Sequence, residues 1–190
     1  MSTDRLFIAI PVGGAQRTAL QQLGNTLQSA LPFSKWVHPH DLHLTLKFLG
    51  DTDPVTAKRV REKLREITAG SQPFSLGLNE LGTFGRPSSP SILWMGVRGD
   101  MNALAALHAK VETAVAPLGF APEDRPFRPH ITMARKYKGE AAFPEAELRN
   151  AAADALSTPS EWMAEHVILY RTHLGRQPMY EALDTFVLGG

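Results

Sequence analysis

Leu42-His43-Leu44-Thr45-Leu46-Lys47-Phe48-Leu49-Gly50 reads as a β-strand, because polar and apolar residues alternate with the period of two that sends successive side chains to opposite faces. Strict alternation puts His43, Thr45 and Lys47 on one face and Leu42, Leu44, Leu46 and Phe48 on the other. Farther along, Arg128-Pro129-His130-Ile131-Thr132-Met133-Ala134-Arg135 repeats the pattern, with His130 and Thr132 opposite Ile131 and Met133. The two His-apolar-Thr-apolar tetrads stand 130 − 43 = 87 residues apart, close to half of a 190-residue chain. One half-buried strand with a polar outer face is commonplace. Two in matching halves suggest more: if a pseudo-twofold relates the halves, both polar faces meet across a cleft.

Working outward, apolar spacing marks three amphipathic helices, along Leu20, Leu23, Leu27 and Leu31, along Val60, Leu64 and Ile67, and along Leu104, Leu107, Val111, Val115 and Leu118. Strand-like runs lie at Leu6–Ile10, Phe74–Leu78 and Ile92–Val97, then at Ile131–Met133, His166–Tyr170 and Tyr180–Val187. Gly and Pro crowd Gly82–Pro90 and Pro117–Pro129, which predicts loops at both places. Neither resembles an interdomain linker, so residues 1–190 are expected to form one domain. Strands and helices do not alternate as in a doubly wound sheet, and the fold class expected is α+β with mainly antiparallel strands.

Composition narrows the chemistry. The chain has no cysteine, which removes disulfides, thiolate nucleophiles and zinc knuckles and fits a reducing compartment, here taken to be the cytoplasm. No run of about 18 apolar residues offers a membrane span. The start, Met1-Ser2-Thr3-Asp4-Arg5, lacks a secretory leader's apolar region. A net charge of +1 does not support nonspecific wrapping of nucleic acid, but leaves contact with a strand end open. No spare apolar stripe asks for a partner, so a monomer is expected.

Two imidazoles and two hydroxyls around one small anion have a definite use. Histidine titrates near pH ~6.5, so one ring can accept a proton while the other donates one. Phosphoryl transfer to water needs both tasks: a base for the attacking water and an acid for the leaving ribose oxygen. The hydroxyls of Thr45 and Thr132 would hold the non-bridging oxygens.

With these motifs in place the chain resembles the two-histidine (2H) phosphoesterases, which carry a pair of His-x-Thr/Ser motifs in two related lobes. It is most similar to their RNA 2′,3′-cyclic phosphodiesterase branch, formerly called 2′-5′ RNA ligase. Supporting stretches are Arg5-Leu-Phe-Ile-Ala-Ile-Pro11, Trp36, Leu42–Gly50, Arg128–Arg135, and Leu169–Leu174 with Tyr180. The resemblance implies a bilobal fold, with two mainly antiparallel sheets, outer helices and a catalytic cleft between the lobes. It also implies hydrolysis of terminal RNA 2′,3′-cyclic phosphates to 2′-phosphates without metal or cofactor, and a weak reverse joining of RNA ends. Carried over by position, His43 and His130 are the catalytic pair, His43 as acid toward O3′ and His130 assisting the water. Thr45, Thr132 and Arg135 would bind phosphate, and Phe48 would stack near the terminal base. Alternation places Phe48 opposite His43, so that role needs a twist or bulge before Gly50.

Other readings compete. His38-Pro39-His40-Asp41-Leu42-His43 invites a metal site, yet the hydrolase motif His-x-His-x-Asp-His would need Asp at position 42, where this chain has Leu. His108, His166 and His173 have no partner motif and read as structural. Gly13-Gly14 lacks a P-loop's lysine and spacing, and no Gly-x-Ser-x-Gly elbow is present. A non-catalytic module that grips RNA ends or nucleotides would use the same cleft. So would a phosphodiesterase acting on 2′-5′ oligonucleotides or small cyclic nucleotides.

Overall fold

The structure, a computed structural model, describes residues 2–157 and 159–190. In chain order the elements are β1 (Asp4–Pro11), α1 (Gly14–Ala30), β2 (Phe33–Trp36), β3 (His43–Thr52), α2 (Pro54–Ala69), β4 (Phe74–Arg86), β5 (Ser89–Gly99), α3 (Met101–Val115), β6 (His130–Tyr137), α4 (Glu145–Ser157), β7 (Glu161–Ala164), β8 (His166–Thr172) and β9 (Tyr180–Val187). Short 3-10 turns cover Pro39–Asp41 and Ala116–Leu118.

The strands pair antiparallel in the order β7-β4-β5-β6-β3-β1-β8-β9, with β2 added to β6. That order falls into two equivalent halves. Reading outward from the centre, β3-β1-β8-β9 on one side answers β6-β5-β4-β7 on the other. The halves join where Leu44 pairs with Ile131, the middle residues of the two His-x-Thr tetrads. The pseudo-twofold axis inferred from the repeat therefore passes through the motifs themselves. The two mainly antiparallel sheets expected are these two halves, joined edge to edge into one ladder by this central pair.

The chain is traced twice through one plan, β1-α1-β3-α2-β4 and then β5-α3-β6-α4-β8, with β7 preceding β8. In each pass the last strand crosses over, β4 lying beside β5 and β8 beside β1. Neither pass makes a complete sheet alone.

The helical stripes face inward as the spacing predicts. Leu20, Leu23 and Leu27 of α1, Val60 and Leu64 of α2, and Leu104, Leu107, Val111 and Val115 of α3 are all buried. Asp53 and Asp100 cap α2 and α3 by accepting from the backbone N–H of Thr56 and Ala103, both at 2.9 Å. The fourth helix carries a weaker signal, since its buried face consists of Leu148, Ala152 and Ala155. β2 and β7 span four residues each, too few for periodicity to show.

Gly82–Pro90 is not a loop: β4 and β5 continue through it to a tight turn. Gly82 is there because a Cβ would sit 2.3 Å from the Trp94 ring across the ladder, and Gly85 takes a φ of +99° at a register shift. These glycines serve close packing inside a strand. Residues 119–129 do lack regular structure, as their prolines indicated.

Candidate active site

Two β-bulges shape the cleft. Opposite β1, Ala9 pairs with Thr45 but Ile8 pairs with Lys47, leaving Leu46 as an extra residue in β3. Opposite β5, Trp94 pairs with Thr132 but Leu93 pairs with Ala134, leaving Met133 extra in β6. Each bulge falls on the fourth residue of a tetrad and reverses the alternation after it. Lys47 and Ala134 thereby turn into the core, while Phe48 and Arg135 come round to the faces of His43 and His130. The simple pattern placed Lys47 and Phe48 the other way; in the structure Lys47 is 4% exposed and Phe48 61%.

The two imidazoles are held by one device. His43 Nδ1 lies 2.7 Å from the Asp41 carbonyl, and His130 Nδ1 lies 2.6 Å from the Arg128 carbonyl, each two residues upstream. A carbonyl only accepts, so Nδ1 carries the hydrogen in both rings and Nε2 keeps the lone pair when the ring is neutral. For His43 that atom stands 3.0 Å from the Thr45 hydroxyl.

Aromatic walls enclose both rings. Phe7, Tyr180 and Tyr170 lie 4.8, 5.2 and 6.0 Å from His43 between ring centroids. Phe84 meets His130 edge-on at 5.0 Å, and Trp94 lies behind it at 6.4 Å. Burial among these groups pushes the His43 pKa down to about 4, only partly offset by the bond to Asp41 and that residue's charge. Arg135 and His130 push in the same downward direction. Burial lowers His130 as well; the bond to the Arg128 carbonyl opposes this, and the charge of Arg135 adds to it. Both rings are therefore neutral in the free protein at pH 7. Burial also raises Tyr170 to about 12, so it stays a neutral phenol.

Asp41 is a residue that the strand reading passes over. It is 5% exposed, and its carboxylate accepts from the backbone N–H of Met179 at 2.8 Å and of Tyr180 at 3.1 Å. One residue thus orients His43 through its carbonyl and fixes the start of β9, with Tyr180, through its side chain. Its neighbours build the same turn, since His38 Nδ1 accepts from the His40 backbone N–H at 3.2 Å. The segment that suggested a metal site is engaged in shaping the approach to β3. An Asp two residues before a catalytic-type His was the available signal; its remote partners at positions 179 and 180 were not.

Beside the motifs opens a cavity of about 810 Å³, lined by Thr45, Phe48, Phe84, Arg125, Phe127, Arg128 and His130 among others. Arg135 lines a separate, smaller hollow with Lys35, Asp41 and Tyr180. The sequence-predicted residues His43, Thr45, Phe48, His130, Thr132 and Arg135 thus fall on the two central strands, and the bulges bring Phe48 and Arg135 into line.

Residues 7–176 match the model of the 2′-5′ RNA ligase superfamily. A Geobacillus stearothermophilus protein named RNA 2′,3′-cyclic phosphodiesterase is 41% identical over 192 residues; the match takes in all of this chain but 59% of that relative's length. A Bacillus subtilis protein of the same name is 34% identical, covering 96% of this chain and 95% of its own. Among solved structures, the Thermus thermophilus protein TT0787 aligns with a TM-score of 0.77 at 26% identity, over 98% of each chain. Escherichia coli LigT complexed with 3′-AMP aligns at 0.78 and 23% identity over 99% of each, a likeness of fold.

Proposed function

Because the chain belongs to the 2′-5′ RNA ligase superfamily, we propose that it is an RNA 2′,3′-cyclic phosphodiesterase working by two-histidine acid/base catalysis. The observation that carries this reading is the pairing of the two His-x-Thr strands at Leu44 and Ile131, with both Nδ1 atoms anchored, so that proton transfer falls to Nε2 of each ring, that of His43 lying beside the Thr45 hydroxyl.

Water attacks phosphorus as the P–O3′ bond breaks. His130 Nε2 takes the proton from the water, and His43 gives one to the departing O3′, leaving a 2′-phosphate and a 3′-hydroxyl. Thr45, Thr132 and the fixed charge of Arg135 hold the non-bridging oxygens, and Phe48 stacks on the terminal base. Since both rings are neutral without substrate, the acid's proton arrives with the anion: a phosphate beside His43 favours the charged ring. With a 5′-hydroxyl end in place of water, the same displacement of O3′ from the cyclic phosphate would join the two ends weakly through a 2′-5′ phosphodiester.

We place this activity in the cytoplasm, on a monomer, acting on RNA ends. Among the described residues no helix is long and apolar enough to cross a membrane. The absence of cysteine suits a reducing compartment.

The test is to incubate the protein with an RNA oligonucleotide ending in a 2′,3′-cyclic phosphate, in excess EDTA, and to identify the product end. A 2′-phosphate is expected, with turnover falling at least about a hundredfold in His43→Ala and in His130→Ala. A requirement for metal, or binding of the RNA end without turnover, would overturn the reading.

A further inference from the structure

The cavity beside His130 extends beyond the two motifs to Arg125, Pro126 and Phe127. At about 810 Å³ it lies in the upper part of the range of about 300–1,000 Å³ that encloses compact ligands. One wall is the irregular segment 119–129, which supplies Arg125, Phe127 and Arg128. Glu123 is the opposing carboxylate on that wall. Lys47 also reaches the cavity, but its charge is taken by Glu112 at 3.1 Å.

The segment has no regular hydrogen bonding of its own, yet it is fastened from beneath. Lys47 Nζ donates to the Ala121 carbonyl at 2.6 Å and to Glu112 Oε2 at 3.2 Å, and the same Oε2 accepts from the Glu123 backbone N–H at 3.2 Å. Farther on, Phe127 lies flat against His108, centroids 3.8 Å apart and planes 3° from parallel. The far end is tied to chemistry, because the Arg128 carbonyl holds His130. A wall fastened this way costs little ordering when a ligand lies on it.

We propose that residues 119–129 form a track for the RNA strand 5′ of the terminal nucleotide, with Arg125 and Arg128 taking its phosphodiesters and Phe127 its penultimate base. This rests on the phosphodiesterase reading and adds to it a second subsite, one that favours oligonucleotide ends over mononucleotides. A mononucleotide fills the space at Thr45, His130 and Phe48 and leaves the exposed Arg125 unused. Each further nucleotide brings a phosphate that the guanidinium groups can neutralise, releasing counterions.

The experiment measures binding of a 5′-labelled pentaribonucleotide ending in a 2′-phosphate across a salt series, with a nucleoside 2′-monophosphate as competitor. In Arg125→Ala the slope of log K against log salt should lose about 0.7 of its magnitude, the share of one neutralised phosphate on a single strand. The preference for pentanucleotide over mononucleotide should fall at least fivefold. Arg125→Gln, which keeps part of the stem, should behave alike. An unchanged slope and preference would overturn the track. Hydrolysis of a nucleoside 2′,3′-cyclic phosphate, assayed in parallel, reports on the catalytic reading separately. Turnover with an unchanged slope sinks the track alone, whereas a reduced slope without turnover upholds it and removes the phosphodiesterase reading.

Discussion

Two residues adjacent in sequence, Lys47 and Phe48, show what alternation can and cannot reveal. The polar face of His43 and Thr45 was legible because the pattern holds up to the bulge. Beyond Leu46 it reverses, and an extra residue in a strand leaves no mark in a run of apolar side chains. The histidines carry two consequences. His43 has a folded pKa near 4 against about 6.5 in an unfolded chain, so the unfolded state binds the additional proton in acid. The stability gained by keeping this ring neutral is complete above pH ~6.5 and is lost as pH falls toward 4. Urea unfolding at pH 7 and pH 4.5 should show a smaller loss in His43→Gln than in the parent, by on the order of 1–3 kcal/mol; equal losses would mean that His43 is not buried neutral. The division of labour is separable too. A cyclic substrate with sulfur bridging at the 3′ position has a leaving group that needs no acid, so it should restore most turnover to His43→Ala and little to His130→Ala. The opposite pattern would exchange the two roles.

At the level of elements, three helices and most strands follow from spacing, whereas α4 and the four-residue strands do not. α4 packs largely through alanines of a kind that surface segments also carry, and β2 and β7 are set by their neighbours in the ladder. The link between β3, α3 and the segment 119–129 was equally hidden, because Lys47 reads as a surface residue until its ladder partner is known. Its pairing with Glu112 is buried, and breaking one side leaves a charge without compensation. Lys47→Met should cost about 3–5 kcal/mol in urea denaturation, and adding Glu112→Leu should recover most of that. A loss below about 1 kcal/mol would show that the pair contributes no more than an exposed one.

At the level of the molecule, the repeat announced its twofold character in eight residues but not its interleaving. Nothing local records that β4 pairs with β5 and β8 with β1, since both choices bury the same apolar faces. The exchange predicts that the halves are inseparable. Fragments 1–87 and 88–190 should each lack a cooperative thermal transition, and mixing them should restore one together with activity. A transition in either fragment alone would show that one pass folds unaided.

The crossover of β8 also sets a schedule. Leu6 waits for Arg171, 171 − 6 = 165 residues later, so on a ribosome the strand that completes the wall behind His43 emerges long after the edge it covers. Such long-range closure slows folding, because loop entropy is lost before the contacts form. Until then β1 presents an open edge on that side, where unfinished chains can pair with one another instead.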